Sequence, residues 1–486
     1  MHLIKQNTVD VQCASRSFSN VMHNELSVVL ERQLYPKLAV LLDKYAIKNH
    51  IWNIDLLEIN ILNLSEKNWK NELVEYTLFQ IEQYLKANKP LIHEQDNNSN
   101  RFNNLLSDSQ HAEMLLYQFL KTGILPENGV ATNPEKLIRK VTVNDSFAQQ
   151  LLQYFQNDLN TLIRWIFTMP DAFKEKVLTT SLLSGYYPEA IVDIVTSYPA
   201  NAFTGKNKAS IQQWMRFLQW IYVLQQQSLN KKQFYFEELV QASKIHWDIS
   251  FNEIKEFLSQ TTTLLKAEKK GCPSQVKAFF KGLEKKMYKS QSVPLYKNQT
   301  EAQAITNTTE NQSMFTDGGI NSVFIKNAGA VILHPFLISL FEQLNLCNEG
   351  KWLKKQDQHK AILLIQYLVT GKEQFFENEI TLNKILCGLP ANSTVNTKLK
   401  LTKKDKDKCH SLLEAVIEYW KPLNGSSVKA LQQTFLQRDG KIDLKNPDIE
   451  LWVEEKGYDI LLEKLPWAIN MVKTPFMEDF LICNWY

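Results

Sequence analysis

The chain has 486 residues, which is too long for one ordinary hydrophobic core and predicts two or three domains. Hydrophobic residues make up 44% and charged residues 22%, a composition that excludes a disordered chain. Only 15 Gly and 15 Pro occur, which favours long helices over a turn-rich barrel or sandwich, and a net charge of +3 argues against nucleic acid as the main partner.

The cysteines and the apolar segments predict a cytoplasmic protein. The six cysteines are scattered without a CxxC pair, as expected of reduced core thiols rather than of a disulfide framework or a zinc site. No window reaches the ~18 uncharged apolar residues of a transmembrane segment. The first residues, MHLIKQNTVDVQ, lack the apolar core of a signal peptide.

Residues 1–90 predict a β-α-β-α unit. The unit begins with short segments of alternating hydrophobicity. A helical pattern follows, and Pro36 is expected to kink or split this helix. The segment IWNIDLLEINIL alternates as a strand, and its change of parity indicates a bulge near Leu56. Ser65 is expected to cap a second helix. The apolar face of the first helix is predicted to contain Phe18, Val21, Leu26, Val29, Leu30 and Leu34.

Residues 105–289 predict a helical middle region, preceded by the polar loop HEQDNNSNRFNN. Lys266–Lys289 carries eight Lys against two Glu, but has no Arg and almost no interleaved aromatic residue. We therefore interpret this run as a solvated helix face rather than as a site for a membrane or nucleic acid. The predicted helices are 109–121, 146–168, 171–180, 187–197, 208–228 and 233–266.

Residues 290–320 are polar and predict a linker, and residues 321–486 predict a C-terminal helical domain with terminal β strands. A wide apolar stripe begins at Leu333, and Gly371 is expected to follow the end of the helix in HKAILLIQYLVTG. The fold class is accordingly mainly α, multi-helical, with small β elements at the N- and C-terminal ends (α+β).

Further local signals place the elements of the C-terminal domain. Thr402 and Asp405 have the spacing of a capping box at the start of a helix. The segment SSVKALQQTFLQRDGK predicts a short helix that ends at Gly440, and DIELWVEE alternates as a half-buried strand. AINMVKTPFMEDFLICNWY predicts two short strands separated by Pro475.

No local signature of catalysis, cofactor binding or metal binding occurs. Phosphate-binding loops, zinc-ligand spacings and the nucleophile elbow are all missing from the sequence, so we predict no catalytic, cofactor-binding or metal-ligating residue and no cofactor. Glu450, Glu454 and Glu455 lie on a patterned strand and are interpreted as solvated. Paired carboxylates for glycan cleavage meet in space rather than in sequence, so that alternative stays open.

His334 precedes Pro335 in the apolar stretch NAGAVILHPFLISLFEQLNL. Proline suits the first position of a helix, so His334 is predicted at or next to the N-cap. There its imidazole would bond a free helix N–H or a neighbouring carbonyl. A catalytic or metal-binding histidine needs partners, and no partner lies nearby in the sequence, so we predict a structural role.

Several segments occur in a distinctive order. NAGAVILHPFLISLFEQLNL is followed by HKAILLIQYLVTG, LNKILCGLP, LLEAVIEYWKPLNGSSVKALQQTFLQRDGKI and YDILLEKLPWAINMVKTPFM, ahead of a terminal NWY. FLKTGILP (Phe119–Pro126) and the N-terminal IWNIDLLEINILNLSEKNWKNEL lie upstream. Together these segments resemble the contractile injection system tape measure family, over residues 1–126 and 321–486.

The resemblance implies a non-enzymatic structural and assembly component of a phage-tail-like contractile particle, without a cofactor, that sets tube length from within the lumen. Its implied partners are the tube, baseplate hub and cap or terminator proteins, with no nucleic acid. The chain would be oligomeric within the particle and cytoplasmic. A cap, adaptor or baseplate structural protein of the same particle is the alternative, and a particle-borne peptidoglycan hydrolase is a third hypothesis.

Overall fold

A computed structural model describes residues 2–485 except 5–6, 14, 55, 91–104, 126–132, 186–202, 204, 227–235, 268–273, 291–321 and 445–448. The predicted loop HEQDNNSNRFNN, the predicted helix at 187–197 and nearly all of the predicted linker lie outside the described residues. The chain divides into two compact units. Unit 1 comprises residues 1–114, 127–132 and 136–141, and unit 2 comprises residues 115–126, 133–135 and 142–486.

The described part of unit 1 includes three complete helices and a two-stranded antiparallel sheet. The side chain of Ser15 caps the first helix. A π-helical turn that ends two residues before Pro36 interrupts the helical run, close to the predicted break. A small core joins the first helices to the third through Met22, Val29 and Trp69. The elements are α1 (Arg16–Val29), the π turn (Leu30–Leu34), α2 (Tyr35–Tyr45), β1 (His50–Trp52), α3 (Trp69–Ala87) and β2 (Leu105–Ser107).

Three predictions for unit 1 are wrong. The described residues before Arg16 form no strand, and IWNIDLLEINIL contributes only its first two residues to β1. A strand needs a partner for its backbone groups, and the partner β2 is only three residues long, so the predicted bulge at Leu56 has no ladder to interrupt. Helix α3 begins after Asn68 rather than Ser65, whose N–H donates to Glu72 at 2.8 Å.

The described part of the middle region is helical, as predicted, and most of it belongs to unit 2. The predicted helix 146–168 is two helices, because Asp158 has an extended backbone and its side chain caps the second helix. The predicted helix 233–266 is also interrupted, at Asp248, where φ is +53°. The helices are α4 (Asp108–Thr122), α5 (Pro134–Ile138), α6 (Asp145–Asn157), α7 (Leu159–Thr168), α8 (Asp171–Leu178), α9 (Ser181–Ser184), α10 (Lys208–Gln226), α11 (Phe236–Trp247), α12 (Phe251–Ala267) and α13 (Ser274–Ser290).

Helix α13 contains most of the lysine-rich run. Val276, Phe280 and Met287 are buried on one side of the helix, whereas Lys281 and Lys285 are exposed. The described part of the run is thus an amphipathic helix with a solvated lysine face, in agreement with the interpretation from sequence.

The C-terminal part of unit 2 combines helices with a five-stranded sheet of order β3-β6-β7-β9-β8, in which only the β7–β9 pair is parallel. The helices are α14 (His334–Gln343), α15 (Lys355–Thr370), α16 (Thr381–Leu386), α17 (Lys403–Tyr419) and α18 (Val428–Leu431). The strands are β3 (Ser322–Ile325), β4 (Cys347–Asn348), β5 (Lys351–Trp352), β6 (Gly440–Asp443), β7 (Ile449–Val453), β8 (Met471–Val472) and β9 (Leu481–Asn484). The remaining turns are 3-10 helices at Ala328–Leu333, Glu377–Glu379, Lys421–Leu423 and Asp459–Lys464, and a π turn at Gln432–Leu436.

Local predictions in this part are mostly confirmed. The Thr402 hydroxyl accepts the N–H of Asp405, whose carboxylate accepts the N–H of Thr402 in return, which completes the capping box. Gly371 ends α15 with φ of +68°. Strands β8 and β9 lie on either side of Pro475. Gly440, predicted to end a helix, instead begins β6, where it pairs with the neighbouring strands.

The architecture confirms the predicted fold class, mainly α with small β elements at both ends. Four described cysteines are buried free thiols and a fifth, Cys13, is half-buried, as expected of reduced core residues. Burial raises the pKa of Cys409 and of Cys483 to about 12, which keeps both thiols protonated and unreactive at neutral pH.

Candidate functional site

A buried charge cluster joins the middle helices of unit 2 to its C-terminal part. The Nε of Arg164 in α7 donates to Oε1 of Glu377 at 3.1 Å, and the Nζ of Lys384 in α16 donates to the same oxygen at 2.9 Å. The side chains of all three residues are at most 1% exposed. One carboxylate oxygen therefore connects two cations from distant parts of the sequence.

Backbone carbonyls accept further hydrogen bonds from the two cations. Arg164 Nη1 donates to the carbonyls of Leu120 and Lys121 at 2.6 and 2.9 Å, and Nη2 donates to that of Asn392. Lys384 also donates to a carbonyl, that of Ala391, at 3.2 Å. Oε2 of Glu377 is buried and has no hydrogen-bond partner among the described residues. Because all three charged side chains are buried and both cations bond the same carboxylate, the chemistry of the cluster is that of a structural tie.

The segment FLKTGILP supplies the glycine against which this cluster packs. Gly123 has φ of +73°, a conformation that side chains rarely adopt. A Cβ at this position would lie 2.6 Å from Oε1 of Glu377 and 3.2 Å from Nε of Arg164. The glycine thus allows the chain after α4 to approach the ion pair.

Two further glycines of the resembling segments also lie at close backbone contacts. A Cβ on Gly329, in NAGAVILHPFL, would overlap the carbonyl oxygen of Phe435. A Cβ on Gly388, in LNKILCGLP, would overlap the carbonyl oxygen of Phe476, and its φ of +73° adds backbone strain for any other residue. These motif residues are therefore needed for packing within unit 2.

Amide and carboxylate groups of the same segments bond one another. Asn327 donates to the side-chain oxygens of Gln366 and Asn383 at 3.0 and 2.9 Å. Trp485 of the terminal NWY donates its indole N–H to the buried carboxylate of Asp459 at 3.0 Å. Several of the resembling segments that belong to unit 2 thus meet in its core.

A family model described as contractile injection system tape measure protein matches residues 1–485. The chain belongs to the contractile injection system tape measure protein family. No curated protein and no solved structure matches it. The match includes the middle region, for which the sequence gave no resemblance beyond its helical pattern. This tape measure protein is therefore a structural component of a contractile particle.

His334 in the tape measure protein lies where the sequence predicted. Leu333 is the N-cap of α14, His334 is the first helical residue, and its Nδ1 donates to the carbonyl of Val331 at 2.9 Å. Burial lowers its pKa, so the ring is neutral at neutral pH. These contacts support a structural role.

The described residues give no support to metal binding or membrane insertion. They contain no group of three or more His, Cys, Asp or Glu that could hold a metal ion. None of the described helices is long and apolar enough to cross a membrane. Glu450 accepts the indole N–H of Trp452, and Glu454 pairs with Lys456 on an exposed surface. The absence of catalytic residues stays a prediction.

Sequence reasoning missed Arg164, Glu377 and Lys384. An arginine inside the apolar helix LNTLIRWIFT was a signal, because a buried guanidinium needs a carboxylate or carbonyl partner. The sequence did not indicate which carboxylate, since 213 positions separate Arg164 from Glu377.

Proposed function

We propose that this tape measure protein sets tube length with an extended form of its chain, after the middle helices of unit 2 separate from the C-terminal part. The family match over residues 1–485 supports the measuring role. A compact unit with as many residues as unit 2 has a radius of gyration of roughly 21 Å. The middle region, residues 105–289, drawn out as one helix at ~1.5 Å per residue would span roughly 280 Å. Measuring by length therefore requires opening of the folded unit.

The partners in this proposal are the tube subunits along the lumen, the baseplate hub at one end and the cap or terminator protein at the other. The tape measure protein acts without enzymatic activity and without a cofactor, in particles assembled in the cytoplasm. Family membership supports these assignments, and the buried cluster, in which both cations bond one carboxylate oxygen, is consistent with an assembly role rather than a reaction.

An insertion tests the ruler directly. Forty helix-forming residues are inserted between residues 291 and 320, a position that leaves the described contacts of both units in place. At ~1.5 Å per residue the tube is expected to lengthen by up to about 60 Å, measured by electron microscopy of purified particles. The same forty residues appended after Tyr486 serve as the control. Equal tube lengths in the wild type and the insertion variant would contradict a ruler.

A cross-link tests whether the folded unit must open. Lys354 in the C-terminal part donates to Asp248 of the middle region at 3.1 Å at a partly exposed position. In the Asp248→Cys/Lys354→Cys variant, a short bismaleimide is expected to join the two parts and to prevent tube assembly in vitro. The single variant Lys354→Cys, treated alike, should assemble normally. Normal tubes containing the cross-linked chain would show that opening is not needed.

The compact packing of unit 2 favours a second candidate function, that of a cap, adaptor or baseplate protein that acts in its folded form. In this case the cross-linked variant assembles and the insertion leaves tube length unchanged. The protein would then be found at one end of the particle, in a low copy number relative to tube subunits, by mass spectrometry and labelled electron microscopy.

Zymography of the purified chain tests the hypothesis that the protein is a peptidoglycan hydrolase. A surface groove beside the end of α17 is lined by His410, Glu414, Glu418 and Ser427 among others. His410 and Glu414 are 3.3 Å apart, but both side chains are 61% exposed and in water rather than in an enclosed site. We expect no cleared zone, and clearing that is lost on Glu414→Gln would overturn the non-enzymatic assignment.

A further inference from the structure

Two buried histidines face each other where the middle helices pack on the C-terminal part. His246 lies near the end of α11 and His359 lies in α15, and these two helices are in contact. Their ring centroids are 6.5 Å apart. His359 is fully buried and His246 is 9% exposed, with the rings of Phe167 and Trp247 both 5.9 Å from its own.

A hydrogen bond identifies His359 as neutral, and each of the two rings has one buried nitrogen without a partner among the described residues. The backbone N–H of Asn396 donates to Nδ1 of His359 at 3.3 Å, so the proton of the neutral ring is on Nε2. That Nε2 has no hydrogen-bond partner among the described residues, and neither has Nδ1 of His246. An additional proton on His359, or on Nδ1 of His246, would therefore add a charge and a buried donor without a new acceptor.

The charged groups near the rings make protonation still less favourable. The positive charge of Lys355 in α15 lowers the pKa of both rings, and that of Lys384 in α16 lowers the pKa of His359. Helix α11 also packs against α10, α12 and α13. No charged group in the described residues of these three helices shifts the pKa of either histidine. Asp248, two residues after His246, is already paired with three lysines, Lys206, Lys244 and Lys354.

We propose that the His246–His359 pair is an acid-sensitive latch, which holds α11 against α15 at neutral pH and releases it when the pH falls. Two imidazolium ions at this distance would repel each other and the nearby positive charge of Lys355, and no described residue supplies them with a counter-ion. Separation of the two helices exposes both rings to water, where each can take up a proton.

The direction of the pH dependence follows from burial. Burial, followed by the charge of Lys355, lowers the pKa of His246 to about 3 and lowers that of His359 well below 6.5. The packed state is thus fully stabilised above pH 6.5 and loses stability as the pH falls below it. Each histidine shifts the equilibrium toward the open state by up to about tenfold per pH unit, and the pair by up to about a hundredfold.

Hydrogen–deuterium exchange of the full chain at pH 7.5, 6.5 and 5.5, corrected for intrinsic exchange, tests the latch. We expect the opening equilibrium reported by peptides of α11 and α15 to increase below pH 6.5, while peptides of α1 to α3 in unit 1 change little. Below pH 6.5 the opening equilibrium constant should increase by more than tenfold, and by at most about a hundredfold, for each pH unit. Unchanged α11 and α15, or an equal increase throughout the chain, would overturn the proposal.

Variants separate the pair from other titrating groups. His246→Leu removes a ring that has no partner for Nδ1, and His359→Asn keeps an acceptor for the N–H of Asn396. In either single variant the opening equilibrium constant should increase by tenfold or less per pH unit, and in the double variant it should no longer depend on pH in this range. His410→Gln, at an exposed position, should behave as the wild type. A double variant that folds and opens with the wild-type slope would refute the latch; if it does not fold, the wild-type profile decides.

The latch does not depend on the measuring role. The exchange experiment uses the purified chain, whereas the insertion experiment uses particles. A latch that works in a chain whose insertion variant leaves tube length unchanged would therefore support a pH-sensitive adaptor rather than a ruler.

Discussion

The substitution Glu377→Gln removes the carboxylate charge from a site where the side chains of Arg164 and Lys384 are at most 1% exposed. Removal of one partner from a buried ion pair destabilises a protein by about 3–5 kcal/mol, because the remaining charge stays buried without compensation. We therefore expect the free energy of unfolding of the full chain to fall by about this amount. Urea titration followed by circular dichroism measures the change.

The same variant should acquire a pH dependence that identifies the cause. Burial already lowers the pKa of Lys384, and loss of Glu377, which raises it, will lower it further. Between this lowered pKa and the ordinary lysine value, the unfolded chain binds a proton that the folded chain lacks. The stability of Glu377→Gln should accordingly rise between pH 7 and 9.5, relative to the wild type, by up to about 1.4 kcal/mol per pH unit.

Two comparisons make this prediction refutable. Glu379→Gln, at an exposed position in the same short helix, should change stability by less than about 0.5 kcal/mol. Replacement of all three cluster residues by Met should be less harmful than Glu377→Gln alone, since apolar residues of similar volume leave no buried charge. The electrostatic explanation is wrong if Glu377→Gln unfolds at the same urea concentration as Glu379→Gln.

Three further predictions concern the helices and turns of unit 2. Gly388→Ala should lower the soluble yield and the melting temperature strongly, whereas Gly457→Ala, which meets no atom within 4 Å, should change neither. Thr402→Ala should cost about 1 kcal/mol in urea titration through loss of the capping box. His334→Asn should fold and assemble, because an amide can also donate to the Val331 carbonyl. Since burial lowers the pKa of His334, this variant should also lose less stability than the wild type below pH 6.5.

The features that were predicted correctly depend on residues close together in the sequence. The capping box of Thr402 spans three positions, the left-handed Gly371 follows its own helix, and β7 follows from the alternation of five residues. The wrong predictions arose where tertiary partners decide the outcome. The alternating residues after Trp52 have the pattern of a strand but no neighbouring strand in the described structure, so they form none.

Pairings across long distances could not be predicted from pattern. Strand β7 pairs in parallel with β9 at the end of the chain, and Arg164 meets a carboxylate 213 positions away. His246 and His359 each lie in helices with apolar faces, so each alone is typical of a core histidine. Their joint behaviour depends on the 6.5 Å distance between them, which only the packing of α11 on α15 determines.

The location of the resembling segments constrains how a tape measure protein can work. Gly123 contacts the Arg164–Glu377 pair and Gly388 contacts Phe476, so the characteristic residues serve the packing of the folded unit. A chain that acted only when extended would have no use for these close contacts. Folding of unit 2 must therefore matter at some stage, either as the active form of an adaptor or as the form from which a ruler opens. The cross-link between residues 248 and 354 distinguishes these, because only the second requires the contacts to break.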